Sequence, residues 1–218
     1  MVASLVSREH RFTFLLASVL AMILVTPFLE QIEDGGLLLA LVFWFTLISV
    51  VFTATEKLAR RVTILVVASL WLVLRFSTPL AEERLFLAVA QIGFIFVMSV
   101  SLYHVIRALI EADRVTVDIL AGGVAVYLMF SIIWALGFAL MESLVPGSVF
   151  ALPGHFAEAW NQIYYFSLSS LTTLGYGDFV ASSAFARNLA ALEAALGVLY
   201  LAVFMARLIG LLPAVRSK

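Results

Sequence analysis

Six runs of mostly apolar residues, at 12–29, 37–54, 62–76, 85–110, 119–141 and 187–212, are separated by short polar breaks. Each approaches the roughly 20 residues that a helix needs to cross a bilayer. Hydrocarbon offers no water to backbone N–H and C=O groups, so a spanning segment has to satisfy them internally, as a helix does. The chain is 64% hydrophobic and 12% charged, against about one-half and one-quarter in soluble domains. The expected fold is all-α and membrane-embedded: six transmembrane helices, with a re-entrant helix and loop between the fifth and the sixth.

The breaks carry the expected chemistry. Glu30 to Gly36 closes the first run, and Glu56, Lys57, Arg60 and Arg61 follow the second. Ser77, Thr78 and Pro79 end the third, since the residue before proline disfavours helix. Glu82, Glu83 and Arg84 form a polar connection, and a polar linker runs from Glu111 to Asp118. The first run follows a mildly basic segment, as a signal peptide would, but no small-residue cleavage site precedes Pro27. A retained helix is expected. Residues 142–155 hold two Pro–Gly pairs, Pro146-Gly147 and Pro153-Gly154, and are expected to be non-helical. Residues 156–171 are too short and too polar to span and read as the re-entrant helix. Residues 1–115 would form a four-helix bundle and 116–218 a second unit.

With six spans both ends lie on one side. Arg75, Arg84 and Arg187 fall on the opposite side, and the rest of the 13 Lys and Arg residues fall on the side of the termini or at its edge. Positive charge is retained on the cytoplasmic side, so both termini are expected there, in a multi-pass plasma-membrane protein. A net charge of −1 does not point to nucleic acid. No cysteine is present, so disulfides and thiol chemistry are excluded. His10, His104 and His155 form no metal-ligand spacing.

After the short helix comes Thr172-Thr173-Leu174-Gly175-Tyr176-Gly177-Asp178. Glycine adopts backbone conformations closed to other residues. Gly175 and Gly177, alternating with larger residues, allow a short extended segment to turn successive carbonyls the same way. Four copies around an axis would stack rings of oxygen, with the Thr173 hydroxyl as the lowest ring. Such rings replace the water shell of a cation.

In these residues the chain resembles the selectivity filter of the potassium channel family, in its six-transmembrane bacterial-type form without an arginine-rich fourth helix. The family pattern is Thr-Val-Gly-Tyr-Gly-Asp, and Leu174 stands where valine or isoleucine is usual. The resemblance implies a homotetramer in the lipid bilayer that conducts K+ passively, with no enzymatic step and no cofactor beyond the permeant ion. It implies that Thr173, Leu174, Gly175, Tyr176 and Gly177 line the ion path, with K+ held at Thr173 to Tyr176. Filter support would come from Thr172, Asp178, Tyr165, Phe166 and Glu193, with Trp160 and Tyr164 also in the aromatic cuff. Some family members carry an acid four residues before the filter threonine; Ser169 occupies that place here.

Gly197 lies where the family has an inner-helix hinge. A mid-helix glycine costs up to about 1 kcal/mol against alanine, and either hinge bending or close helix packing would account for it. Leu201, Met205 and Ile209 share a helix face that lines either the inner pore or a neighbouring helix. Glu193 is an ionisable group inside a span, which calls for a partner or a role; Ser167, Ser169, Ser170 and Thr172 are the candidate donors. The run at 85–110 occupies the voltage-sensor position but holds only Arg107, near its end. Steep voltage dependence needs several charges crossing the field, so conventional voltage gating is not expected. The short tail after Leu212 leads to the expectation of no cytoplasmic ligand-binding domain. Leu174 leaves a weakly selective cation channel as one alternative; a transporter or scaffold with a filter-like loop is another.

Overall fold

A computed structural model describes residues 10–29, 35–54, 84–149 and 156–211. These residues form α-helices and no strand. In order they are α1 (Arg11–Leu29), α2 (Gly35–Ala54), α3 (Arg84–Ile110), α4 (Val117–Leu144), α5 (Phe156–Leu171) and α6 (Ala184–Leu211). The run expected at 62–76, the acids Glu30, Glu33, Asp34, Glu82 and Glu83, and His155 lie outside the described residues. Four of the helices, α1, α3, α4 and α6, are long and apolar enough to cross a membrane.

Several boundaries differ from expectation: α2 starts at Gly35, Arg84 opens α3 and α6 starts at Ala184, and both ends of α4 take in charged residues. Asp118, expected in the linker, sits in the first turn of α4, whose N-cap is Thr116. The Thr116 side chain accepts from the Ile119 N–H at 3.2 Å, which supplies one of the partners a helix start lacks. Glu142, expected in the loop, lies in the last turns of α4, which runs on to Leu144. Its carboxylate accepts the backbone N–H groups of Gly147 at 2.5 Å and Val149 at 2.9 Å. The carboxylate thus folds the turn after the helix back on itself, and the charge is spent on local backbone.

The apolar helices handle their hydroxyls internally. Ser18 donates to the Leu15 carbonyl, Thr26 to Met22, Thr53 to Ser49 and Ser131 to Leu128, each at 2.7–2.8 Å. This back-bonding gives a buried hydroxyl an acceptor within its own helix; Thr53 also reaches the Arg11 carbonyl and Ser131 the Tyr164 hydroxyl, each at 3.3 Å.

Helix α4 is the hub, packing on α1, α3, α5 and α6. Two adjacent glycines make this possible. A Cβ on Gly122 would lie 2.7 Å from Leu109 of α3 and 3.0 Å from Phe12 of α1. A Cβ on Gly123 would clash with the tip of the Phe204 ring of α6, 1.8 Å from Cζ. Neighbouring positions on a helix point about 100° apart, so the pair admits the peripheral helices on one side and α6 on the other. Tyr200 of α6 donates to the Gly123 carbonyl at 2.7 Å and stacks on Phe204.

Helix ends are tied across the bundle as well. Asp118 accepts from the backbone N–H and the hydroxyl of Thr13, at 2.8 and 2.9 Å, placing a negative charge at the start of α1. Arg207 of α6 donates to the carbonyls of Ile110 and Ala112, at 2.7 and 3.2 Å, placing a positive charge at the end of α3.

One face of α6 packs on α4 and α5, and the opposite face is uncovered. Leu199 and Val203 are 58% and 68% exposed, as expected of a helix that meets lipid or further protein.

Replacing Gly123 by valine should cost about 1–3 kcal/mol through overpacking against Phe204. Thermal unfolding of the purified protein in detergent would show the loss, and adding Phe204→Ala in the same chain should return part of it. An unchanged melting curve would mean that α4 and α6 do not meet at Gly123.

Candidate functional site

The 16 residues of α5 rise about 24 Å, short of the roughly 30 Å hydrocarbon thickness. The helix is held on several sides. Phe166 is buried and meets Phe138 of α4 edge-on at 5.2 Å. Trp160 stacks on Tyr164 and meets Phe43 of α2 edge-on. Ser167 is fully buried, with its hydroxyl 2.7 Å from the Ser131 carbonyl of α4 and 2.5 Å from Glu193 of α6.

The C-terminal carbonyls of α5, which a helix leaves without partners, are taken up one by one. Leu168 accepts from the N–H and the hydroxyl of Thr172. Ser169 accepts from the N–H groups of Leu174 and Gly175, at 2.9 and 3.3 Å. Ser170 accepts from Thr173 N–H at 2.9 Å, and Leu171 accepts from the Tyr127 hydroxyl of α4 at 3.0 Å. The Ser169 hydroxyl takes a further bond from Gly175 N–H at 3.2 Å. Ser169 therefore holds the start of the loop at two residues.

Beyond α5 the backbone alternates. Thr173 has φ of 58°, Gly175 of 56° and Gly177 of 79°, whereas Leu174 and Tyr176 do not take positive φ. Positive φ costs glycine little. For a β-branched residue it is an outlier, of a kind that costs about 1–3 kcal/mol and clusters at functional sites. The Thr173 hydroxyl donates to the Thr172 carbonyl at 2.6 Å, so its proton is engaged and its lone pairs stay free. All of Thr172 to Asp178 is exposed in the single chain, including Leu174 at 55% and Tyr176 at 71%. The far end is pinned. The Tyr165 hydroxyl lies 3.0 and 3.2 Å from the two carboxylate oxygens of Asp178. Asp178 also accepts from Phe179 N–H, and the Phe179 ring meets Tyr165 edge-on. Past it, Ser182 and Ser183 donate backbone N–H groups to Val149 and Ser148, joining this loop to the turn after α4.

Residues 114–212 match the model of a protein family described as "Ion channel". This segment is similar to an ion channel domain. No curated protein and no solved structure matches the chain.

The channel-like segment takes in α4, α5, the loop and α6. Within it Thr172, Thr173 and Gly175 bond to the last turn of α5, and Asp178 bonds to Tyr165. Phe166 meets Phe138 of α4. Glu193 reaches α5 at Ser167, one of its four candidate donors. Gly197 has a clear packing reason: a Cβ there would lie 2.2 Å from the Leu171 carbonyl oxygen. Leu201 is 45% exposed; Met205 and Ile209 lie on α6, and their side chains are outside the described residues. Arg107 pairs with Glu111 one turn on at 2.7 Å, both groups being exposed.

Two supporting residues were not anticipated. Tyr127 and Ser131 lie far from the loop in sequence, on an apolar helix with no local signal of their role. Ser169 was noticed as a substitution; its two-atom grip on Leu174 and Gly175 depends on where the chain turns after Leu171.

Removing the Tyr165 hydroxyl with Tyr165→Phe should speed amide exchange across 177–180 by roughly threefold to tenfold, leaving α4 and α6 unaffected. Uniform exchange changes would contradict a local pin. Gly197→Ala should cost about 1–3 kcal/mol by pushing α6 off the Leu171 carbonyl; unaltered thermal unfolding would remove the packing account of this glycine.

Proposed function

We propose that the protein is a potassium-selective channel in which four copies join their 172–178 loops around one axis. Passive K+ conduction follows the oxygens of Thr173, Leu174, Gly175, Tyr176 and Gly177. The observation that carries this reading is the alternation of φ at 173, 175 and 177, forced even on a β-branched threonine. Alternating left-handed and ordinary residues let successive carbonyls share a side, and carbonyl rings replace a cation's hydration shell. Irregular backbone is tolerated at membrane depth only where protein buries it or water reaches it. The exposure of the whole loop in one chain fits a site completed by other copies. Cyclic assembly of identical chains supplies such a ring.

The end of α5 points its negative dipole toward the same place. Tyr165 and Asp178 brace the outer mouth, and Ser169 and Thr172 brace the base. Beneath the filter Leu201, Met205 and Ile209 form an apolar inner pore, which gates by dewetting where it narrows. The six-span topology keeps both termini in the cytoplasm of a cell whose plasma membrane holds the channel. Helix α3 bears arginines only at its two ends, Arg84 and Arg107, the latter already paired with Glu111, so the channel is not steeply voltage-gated. The match of 114–212 to ion channels supports the broader class; the Thr-Leu-Gly-Tyr-Gly-Asp order favours potassium within it.

The test is recording from purified protein in planar bilayers between KCl and NaCl. The expected result is unitary ohmic current reversing near the K+ equilibrium potential. Reversal near zero would replace this reading with a weakly selective pore. Flux that saturates and requires a coupling ion would replace it with a transporter. Gly177→Ala should abolish the current, because positive φ at that position strains any side chain, while cross-linking still shows four-chain assemblies.

A further inference from the structure

Glu193 lies in the middle of α6 and is fully buried. Its Oε1 is 2.5 Å from the Ser167 hydroxyl, and that hydroxyl is 2.7 Å from the Ser131 carbonyl oxygen. A serine hydroxyl has one proton to give, and a backbone carbonyl can only accept. Were Glu193 a carboxylate, two acceptors would compete for that proton, and one short contact would set lone pairs against lone pairs. The other carboxyl oxygen, Oε2, has no hydrogen-bond partner. A buried carboxylate normally collects several donors or a cation. Among the described residues no Lys, Arg or His pairs with Glu193.

The elements beside Glu193 are α4 and α5, and their titratable groups there are tyrosines. Tyr127 of α4 is within electrostatic reach and spends its hydroxyl on the Leu171 carbonyl. Tyr164 of α5 lies 3.3 Å from the Ser131 hydroxyl. Neither offers positive charge.

The contact has a neighbour one turn further along both helices. Ser167 and Leu171 are four residues apart on α5, as Glu193 and Gly197 are on α6. The first pair meets through hydroxyl and carboxyl, the second through the Leu171 carbonyl against bare glycine backbone. Together they set the depth and rotation of α5 just before Thr172.

We infer that Glu193 is a proton-bearing positioning residue: its carboxylic acid donates to Ser167, Ser167 donates to the Ser131 carbonyl, and this one-way chain fixes the base of the loop. The inference deepens the proposed function and rests on it for its consequence, since the segment positioned is the conducting loop. The location of the proton is a separate matter. The device works as a neutral donor, so glutamine replaces it: the Glu193→Gln amide donates to Ser167 in the same direction. Alanine leaves Ser167 without its donor and opens a space between α5 and α6.

Infrared difference spectroscopy of the reconstituted protein, wild type minus E193Q at neutral pH, reads the proton directly. The expected signal is the carbonyl stretch of a protonated carboxylic acid, shifted on exchange into deuterium oxide. Carboxylate bands in its place would overturn the inference. If E193Q fails to assemble, S167A serves instead: removing the acceptor should move the acid band toward the frequency of a free acid, and no shift would count against the bond. In bilayers, E193A should reduce K+ current by about tenfold or more, and E193Q should recover most of it. Wild-type K+ over Na+ selectivity should then stay level between about pH 5 and pH 8, following E193Q. An E193Q protein as impaired as E193A, or selectivity lost toward low pH in the wild type alone, would contradict a proton already in place. A wild type that shows the acid band yet carries no K+ current would sink the conduction reading and leave the proton assignment standing.

Discussion

A backbone that leaves the helical path inside hydrocarbon has to find a partner for each N–H and C=O it frees. In the proposed pore that requirement falls on the end of α5 and the loop after it, and most of the supporting structure answers it. The last carbonyls of α5 are shared between the returning chain and Tyr127 of α4. The first amides of the loop go back to Ser169, through its carbonyl and its hydroxyl. Asp178 and Tyr165 close the far end. Between these anchors the chain is free to hold an alternating φ pattern that an isolated peptide would abandon, because strain at Thr173 persists only where the surroundings over-determine it.

The same requirement explains why glycines sit where helices cross. Without a hydrophobic force between helices in lipid, association depends on close packing and on hydrogen bonds. Gly197 brings α6 against the Leu171 carbonyl, and Gly123 receives the Phe204 ring while its own carbonyl accepts from Tyr200. Each crossing pairs a missing side chain with a polar contact nearby: Glu193 with Ser167 one turn from Gly197, Tyr200 with Gly123. Shape fixes the separation of the helices and hydrogen bonds fix their register. A hinge at Gly197 would have to leave the Leu171 carbonyl in order to bend.

Much of this was legible in the sequence where the signal was local. The bounds of α5 follow from its polar flanks and the Thr-Thr step, and those of α1 and α3 from charge at their ends. The loop motif was readable because glycine spacing and membrane context restrict it together. What was not legible depended on distance. Asp118 and Glu142 look like loop charges until the backbone amides of Thr13, Gly147 and Val149 are brought to them. Tyr127 and Ser131 look like two more residues of an apolar helix. Gly197 offered two explanations of similar weight, and only the 2.2 Å approach to Leu171 supplies a reason that a side chain would violate. Ser169 shows a subtler limit. An absent acid was visible, but the hydroxyl's own use needed the turn after Leu171.

The peripheral helices are joined to α4 and α6 through helix ends more than through charge within the membrane. Asp118 holds the start of α1, and Arg207 holds the end of α3. Both use the helix macrodipole, whose effect is confined to the first or last turn. Helix α3 has arginines only at its two ends, Arg84 and Arg107, the latter turned to Glu111 on the same exposed surface, so little charge is available to drive it along the membrane normal. Its position is set by Leu109 at Gly122 and by the Arg207 contact. A movement of α6 at its Arg207 end would therefore have to break or carry with it the carbonyls of Ile110 and Ala112. In the proposed pore this makes α1 and α3 a brace on the inner mouth, with the resistance concentrated in the hydrogen bonds of one guanidinium group.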